Sequence, residues 1–224
     1  MNPPSTPPYA VIFDLDGVLI DSVPLNWQAY NQILAGYGIE MAKDDIARYM
    51  GRPLRSTIRS LNARFGKHIN AREFEAQASI IEEPLFRNLE PKPGAKSLMA
   101  ALHAAGVPVA IGTSTPHPLA VKRLKVAGIY QYIKTVVGEG DVESHKPDPD
   151  VFLHAAKRLR IRPRRCVVFE DAPAGVAAAK AAGMRCCAVT GQFTSAADLE
   201  LADLIVDSLT RVTPAQIHQL LTDN

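Results

Sequence analysis

Four short polar clusters stand at or just beyond the ends of apolar runs, and their residue types could together handle a phosphate. Asp14-Leu15-Asp16-Gly17 follows the run at 9–13, and Glu170-Asp171 follows the run at 166–169. Thr113-Ser114-Thr115 comes just past 107–111, and Lys146-Pro147-Asp148-Pro149 lies beyond 134–137. If these runs are parallel strands, their ends share one rim and the four clusters can converge. Asp14, Asp16, Glu170 and Asp171 would then crowd together, and like charges at close range raise each other's pKa unless a cation intervenes. Hard carboxylate oxygens favour magnesium over zinc. A carboxylate-bound metal, a lysine and a hydroxyl together offset and hydrogen-bond a phosphoryl group. Singly, each cluster also reads as ordinary structure: a capped turn at Asp14 and Asp16, helix caps at Thr113 to Thr115 and at Glu170-Asp171, a surface lysine at Lys146. All four in order at strand ends point to a phosphate site.

Other devices for the same task are missing from the sequence. It contains no GxxxxGK[ST] loop, and Gly138-Glu139-Gly140 lacks the third glycine of a dinucleotide fingerprint. A calcium loop starting at Asp14 fails as well, because its glycine comes too early and its twelfth position is Leu25. Neither GxSxG nor HExxH occurs.

The elements that must position these clusters alternate. Short apolar runs at 9–13, 107–111, 134–137, 166–169 and 186–190 read as buried strands, with 204–206 as an edge strand. Helical patterns lie between them and stop at Gly106, Gly128 and Gly183. This alternation predicts an α/β fold with a mostly parallel sheet covered on both faces. One stretch breaks the rhythm. From about 23 to 90 only helical spacing is found: Tyr30, Ile33, Leu34 and Tyr37 share a face, as do Leu54, Ile58, Leu61 and Phe65, and Phe74, Ala78, Ile81 and Leu85. That is too long for a crossover, so it reads as an inserted helical subdomain that leaves after the first strand and returns through Glu90-Pro91-Lys92-Pro93-Gly94. Its position over the strand ends is that of a lid.

FDLDGVLIDS, GTST, KPDPDVF and FEDAPAGVAAAKAAGM, taken in order, resemble the four motifs of the haloacid dehalogenase-like hydrolases, over nearly the whole chain after the N-terminal arm. The helical insertion is similar to the small cap of the subgroup containing β-phosphoglucomutase and phosphoglycolate phosphatase. The resemblance implies a five-stranded Rossmann-like core at 1–22 and 92–224 and an all-helical cap at 23–91. It implies Asp14 as the nucleophile that forms an aspartyl-phosphate, and Asp16 as the acid that protonates the leaving oxygen and then activates water. Thr113, Ser114 and Lys146 would bind the transferring phosphoryl group. Asp14, Asp16 (through its carbonyl), Glu170 and Asp171 would hold Mg2+, with Glu170 direct or through water. Family members that cleave carbon–halogen or carbon–phosphorus bonds lack the second acid, so Asp16 favours phosphate esters.

A phosphosugar mutase of the β-phosphoglucomutase type is the main rival reading. Such mutases carry a histidine where this chain has Asn26, and an arginine at a position that corresponds to Leu54, although Arg52 and Arg55 flank it. Asparagine cannot act as a general acid or base, which favours a phosphatase of a small sugar, polyol or related metabolite phosphate. Asn26, Arg52 and Arg55 are the candidate substrate contacts in the cap, and Trp27 reads as packing.

Composition limits the remaining classes. The chain has 224 residues, 47% hydrophobic and 21% charged, with a formal net charge of +2. This suits a globular enzyme and calls for neither nucleic acid nor membrane as partner. Six basic side chains at 157–165 have no interleaved aromatics and read as a solvated helix end and loop. A binding-only protein is the remote alternative, and retention of Asp14, Asp16, Lys146 and Asp171 argues against it. Three cysteines without framework spacing, and an N-terminus without a signal peptide, suggest a cytoplasmic protein. The Pro-rich first eight residues read as an extended or disordered arm, and a monomer is the default expectation.

Overall fold

The computed structural model describes residues 9–222, so the Pro-rich arm at 1–8 lies outside the described residues. The first apolar run forms β1 (Ala10–Phe13), and four helices follow it: α1 (Val23–Ala35), α2 (Lys43–Ile46), α3 (Leu54–Phe65) and α4 (Ala71–Leu85). The chain then alternates through α5 (Ala95–Ala104), β2 (Val109–Gly112), α6 (His117–Val126), β3 (Thr135–Val137), α7 (Asp150–Leu159), β4 (Cys166–Glu170), α8 (Pro173–Ala181), β5 (Arg185–Val189), β6 (Leu204–Val206) and α9 (Pro214–Thr222). All strand pairs are parallel, in the order β3-β2-β1-β4-β5-β6.

The sheet therefore has six strands rather than the five that the resemblance implies, because the run at 204–206 pairs along β5 at the edge. Two-residue periodicity sends alternate side chains of β1 to opposite faces. Val11 and Phe13 pack with α5, α6 and α9, while Ala10 and Ile12 pack with α7 and α8. Both faces are covered, which is why these strands are uniformly apolar. Phe13 and Phe169 stack across β1 and β4 with ring centroids 4.8 Å apart.

The strand order reverses between β1 and β4, since β2 and β3 extend to one side and β5 and β6 to the other. In such sheets the crevice at that reversal, beyond the carboxyl ends of the strands, is the natural ligand site. Asp14 and Asp16 leave β1 there, and Glu170 and Asp171 lie at the end of β4.

Residues 23–85 contain helices and, among the described residues, no strand. They bury a cluster of their own, with Trp27, Leu34, Ile58, Leu61 and Phe74 at its centre. Helix α1 stops at Ala35, so Tyr37 reaches that cluster from the following turn rather than from the helix. The segment rejoins the core where Ile20 bridges to Pro91 and the Lys92 amide donates to the Leu19 carbonyl at 2.8 Å. No helix among the described residues is long and apolar enough to cross a membrane.

Helix α8 starts against the end of β4. A Cβ added at Gly175 would fall 1.7 Å from Glu170 Oε1. Glycine to alanine inside a helix ordinarily gains up to about 1 kcal/mol. Here Glu170 is anchored through both oxygens and cannot swing away. Overpacking, at about 1–3 kcal/mol, is therefore expected to outweigh the propensity gain. Gly175→Ala should lower the midpoint of chemical unfolding, and a raised midpoint would show that Glu170 is free to move.

Candidate active site

The register of β1 on β4 sets the site. Phe13 lies beside Phe169, so the next residues, Asp14 and Glu170, are neighbours at the sheet edge. The Asp14 amide donates to the Phe169 carbonyl at 2.9 Å and prolongs the ladder by one bond. The chain then turns sharply at Gly17, which has φ +84°, and its amide donates to the Ile20 carbonyl at 2.9 Å. A Cβ at Gly17 would sit 1.8 Å from Asp171 Oδ2, so only glycine lets this loop close against the β4 acids.

Lys146 lies between two of these acids. Its Nζ donates to Asp14 Oδ1 and to Glu170 Oε1, each at 2.6 Å, and its side chain is fully buried. The other Glu170 oxygen accepts from the Asp171 and Ala172 amides at 2.8 and 3.0 Å. Asp171 is fixed from behind, where Thr194 Oγ1 donates to its carbonyl at 2.9 Å. Asp14, Glu170 and Asp171 each offer an oxygen, and these oxygens all lie within 4.8 Å of one another.

Three buried carboxylates against one ammonium leave two negative charges unbalanced within this set. The electrostatics follow from that. Burial pushes the Asp14 carboxyl up to about 8, with Glu170 and Asp16 adding to the rise and Lys146 opposing it. Burial, then Glu170 and Asp14, hold the Asp171 carboxyl well above the usual carboxylate range. Burial alone would lower Lys146, but Asp14 and Glu170 outweigh it and keep the ammonium charged. The donor set is all oxygen, anionic and in need of two positive charges, and so it fits a hard divalent cation.

Asp16 faces a different environment. Its Oδ1 accepts from Ser22 Oγ at 2.5 Å and from Arg123 Nη1 at 2.7 Å, and its Oδ2 accepts from Thr115 Oγ1 at 2.5 Å. The side-chain carboxylate is not part of the three-acid set. Thr113 is buried, its backbone amide donates to the Val137 carbonyl at 3.0 Å, and its hydroxyl accepts from the Thr115 amide at 3.1 Å. The Ser114 hydroxyl points away to the Gly51 carbonyl at 2.8 Å, leaving only its backbone for a ligand on the strand side.

A cavity of 570 Å³ lies between the sheet edge and the helical insertion. Asp14, Asp16, Thr113, Ser114 and Asp171 line its core side, while Asn26 and Arg52 line its other wall. Lys146 and Glu170 sit behind that lining. Arg55 is exposed and does not line the cavity, although its charge reaches Glu139, which does. Trp27 is buried against Tyr30 and Tyr49 and is among the residues that line the cavity.

The structure adds residues that motif reading did not reach: Arg123, Glu82, Lys92 and Ser22. Lys92 Nζ donates to the Gly17 carbonyl at 2.6 Å. Arg123 is buried, with Nη2 donating to Asn26 Oδ1 at 3.2 Å and to Glu82 Oε2 at 3.3 Å. Ser22 lies within the first motif, where its residue type could have been noticed. Arg123 lies in Lys122-Arg123-Leu124-Lys125, which carries no such signal.

Comparison with known proteins agrees with this geometry. The family model described as haloacid dehalogenase-like hydrolase matches residues 11–189. A phosphorylated carbohydrates phosphatase of Thermotoga maritima is 34% identical, over 78% of this chain and 82% of its own length. Hexitol phosphatase A of Escherichia coli is 34% identical, over 90% of this chain and 92% of its own. A crystal structure of β-phosphoglucomutase from Clostridium difficile superposes with a TM-score of 0.86 at 23% identity, covering 96% of this chain and 97% of that one, which shows a shared fold. The sheet-edge acids, the lysine between two of them and the matched span lead to one conclusion: the chain belongs to the haloacid dehalogenase-like hydrolases.

Proposed function

We propose that this enzyme is a Mg2+-dependent phosphatase that hydrolyses a small sugar or polyol phosphate monoester through a phosphoryl-aspartate on Asp14. One observation carries the reading: a buried carboxylate paired with a buried lysine at 2.6 Å, on the wall of a 570 Å³ cavity, within an acid set that lacks two positive charges. Related phosphatases of carbohydrates and hexitols support the substrate class.

In this reading an Asp14 oxygen attacks phosphorus as the bond from phosphorus to the ester oxygen breaks, and Asp16 gives its proton to that leaving oxygen. Water then attacks the phosphoryl-aspartate, its proton passes to Asp16, and Asp14 is regenerated with release of phosphate. Thr113 and the Ser114 backbone hold the phosphoryl oxygens, while Lys146 keeps the nucleophile oriented and offsets charge. Asp14, the Asp16 carbonyl and Asp171, with Glu170 direct or through water, would hold Mg2+, which when bound would supply the positive charge that lets two anions meet. The helical segment at 23–91 acts as the cap that excludes water over this chemistry.

The wall opposite Asp14 carries Asn26, carboxylates and cations, Arg52 among them. Its buried cation, Arg123, is already shared between Asp16 and Glu82. Hydroxyl groups of a sugar or polyol suit Asn26 and the carboxylates there. Asn26 lacks the titratable proton that a mutase needs at this position, so hydrolysis is favoured over phosphoryl return. Three buried free cysteines support a reducing, cytoplasmic setting. The proposed unit is a monomer with a small-metabolite partner. Within the basic run at 157–165, Arg158 is taken up by Val136 and Asp141, in keeping with a structural role there rather than nucleic-acid binding.

Phosphate release from a panel of sugar, polyol, nucleotide and phosphoglycolate esters tests this reading. Polyol and sugar esters are expected to rank first, and Asp14→Asn should cut release at least about a thousandfold while leaving thermal unfolding cooperative. Undiminished release by Asp14→Asn would contradict the nucleophile.

Metal titration supplies a pH test. The folded, metal-free protein holds protons on Asp14 and Asp171 that the unfolded chain gives up near the ordinary carboxylate pKa. Their stabilising contribution is therefore complete below that pKa and is lost as pH rises toward about 8. Mg2+ must displace those protons, so its gain in Tm is expected to be larger at about pH 8 than at about pH 6, with protons released on binding. Equal gains at both pH values would contradict metal binding by this acid set.

A further inference from the structure

The phosphatase reading leaves open what keeps Asp16 from working before the cap has closed. We propose that Arg123 is the positioning residue that couples closure of the helical insertion to the readiness of Asp16, an inference that rests on that reading. Arg123 belongs to the core, on α6, yet its guanidinium joins both parts of the molecule. Nη1 donates to Asp16 Oδ1 at 2.7 Å. Nη2 donates to Asn26 on α1 and Glu82 on α4, and the guanidinium lies over the Phe86 ring with 4.2 Å to the centroid. Asn26, Glu82 and Phe86 all come from the insertion, so withdrawing it strips Arg123 of every partner except Asp16. Among the described residues its Nε is buried and makes no hydrogen bond, so its hydrogen bonds are made through Nη1 and Nη2.

The planar fork of an arginine matters here, because one group must reach a core carboxylate and an insertion carboxylate at fixed angles. It also sorts the two Asp16 oxygens. Oδ1 takes the permanent cation and the Ser22 hydroxyl. Among the described residues Oδ2 is hydrogen-bonded by Thr115 alone, a hydroxyl that can donate or accept. With Arg123 in place, Oδ2 is the oxygen that can carry the transferable proton. That proton leaves for the ester oxygen as the bond from phosphorus to that oxygen breaks and the bond from Asp14 to phosphorus forms. A new proton arrives from the attacking water in the second step. Without the fork, Asp16 keeps only the Ser22 and Thr115 hydroxyls, and a carboxyl freer to turn places its proton less well for transfer.

The consequence is specific to leaving groups that need a proton. Alkyl phosphates need one on departure; p-nitrophenyl phosphate does not. For Arg123→Lys, kcat/KM on the alkyl phosphate that the wild type hydrolyses best should fall about 10- to 100-fold, and on p-nitrophenyl phosphate less than about threefold. Glu82→Gln leaves Arg123 in place and loosens only the insertion side. It should lower the alkyl-to-aryl ratio severalfold in the same direction, and this holds even if Arg123→Lys does not fold. Equal losses on both esters, or no loss on either, would overturn the positioning role. A wild type inactive on all esters would overturn the phosphatase reading itself, before any variant is compared.

Discussion

Asp14, Glu170 and Asp171 are buried with oxygens within 4.8 Å of one another, and Lys146 is the ammonium among them. At that range a like-charge pair repels by about 3–4 kcal/mol at an effective dielectric near 20. One lysine cannot offset that repulsion for three acids, and burial first, with the neighbouring carboxylates adding to it, raises the pKa values of Asp14 and Asp171. A fold that keeps such a cluster has to hold it by force of packing, and much of the surrounding structure can be understood in that way. The stacked phenyl rings of Phe13 and Phe169 lock the two strand ends side by side. Gly17 and Gly175 are spaces left for the carboxylates of Asp171 and Glu170. The Asp171 and Ala172 amides and the Thr194 hydroxyl fix what remains free.

The same constraint explains why the site has two unlike acids. Asp14 is in the charge-starved cluster, where an ionised oxygen is destabilised and reactive toward an electropositive centre. Asp16, two residues on, faces the opposite way, toward Ser22, Thr115 and Arg123. The bridge from Asp16 to Ile20 and the turn at Gly17 fix the loop that carries Asp16. Dividing nucleophile from proton carrier needs different surroundings for two carboxylates, and a single loop provides both.

Much of this was legible in the sequence, for local reasons. Strand runs buried on both faces are continuous and apolar, so β1, β2, β4 and β5 stood out, and polar residues at their ends marked the site. The helical insertion was visible because its spacing changes from runs to periodic faces and because prolines mark its return. The rest depends on contacts made in three dimensions. Arg123 lies in Lys122-Arg123-Leu124-Lys125, where no local pattern sets it apart from its charged neighbours, yet the insertion covers it. Arg55 is adjacent to Leu54 and near Arg52, but the helix turns it outward, away from the cavity wall. The sixth strand, Leu204–Val206, is short and only half-buried, yet its apolar run already marks it as the edge strand that pairs with β5.

The central claim is that phosphoryl transfer passes through Asp14. Rapid acid quenching of the enzyme during turnover of a polyol phosphate with Mg2+, followed by peptide mass analysis, tests it most directly. The predicted result is one added phosphoryl group on the peptide containing Asp14, transient in the wild type, more persistent in Asp16→Asn after loading with p-nitrophenyl phosphate, and missing in Asp14→Asn. A phosphoryl group on another residue, or turnover with none trapped at any quench time in either the wild type or Asp16→Asn, would contradict the account.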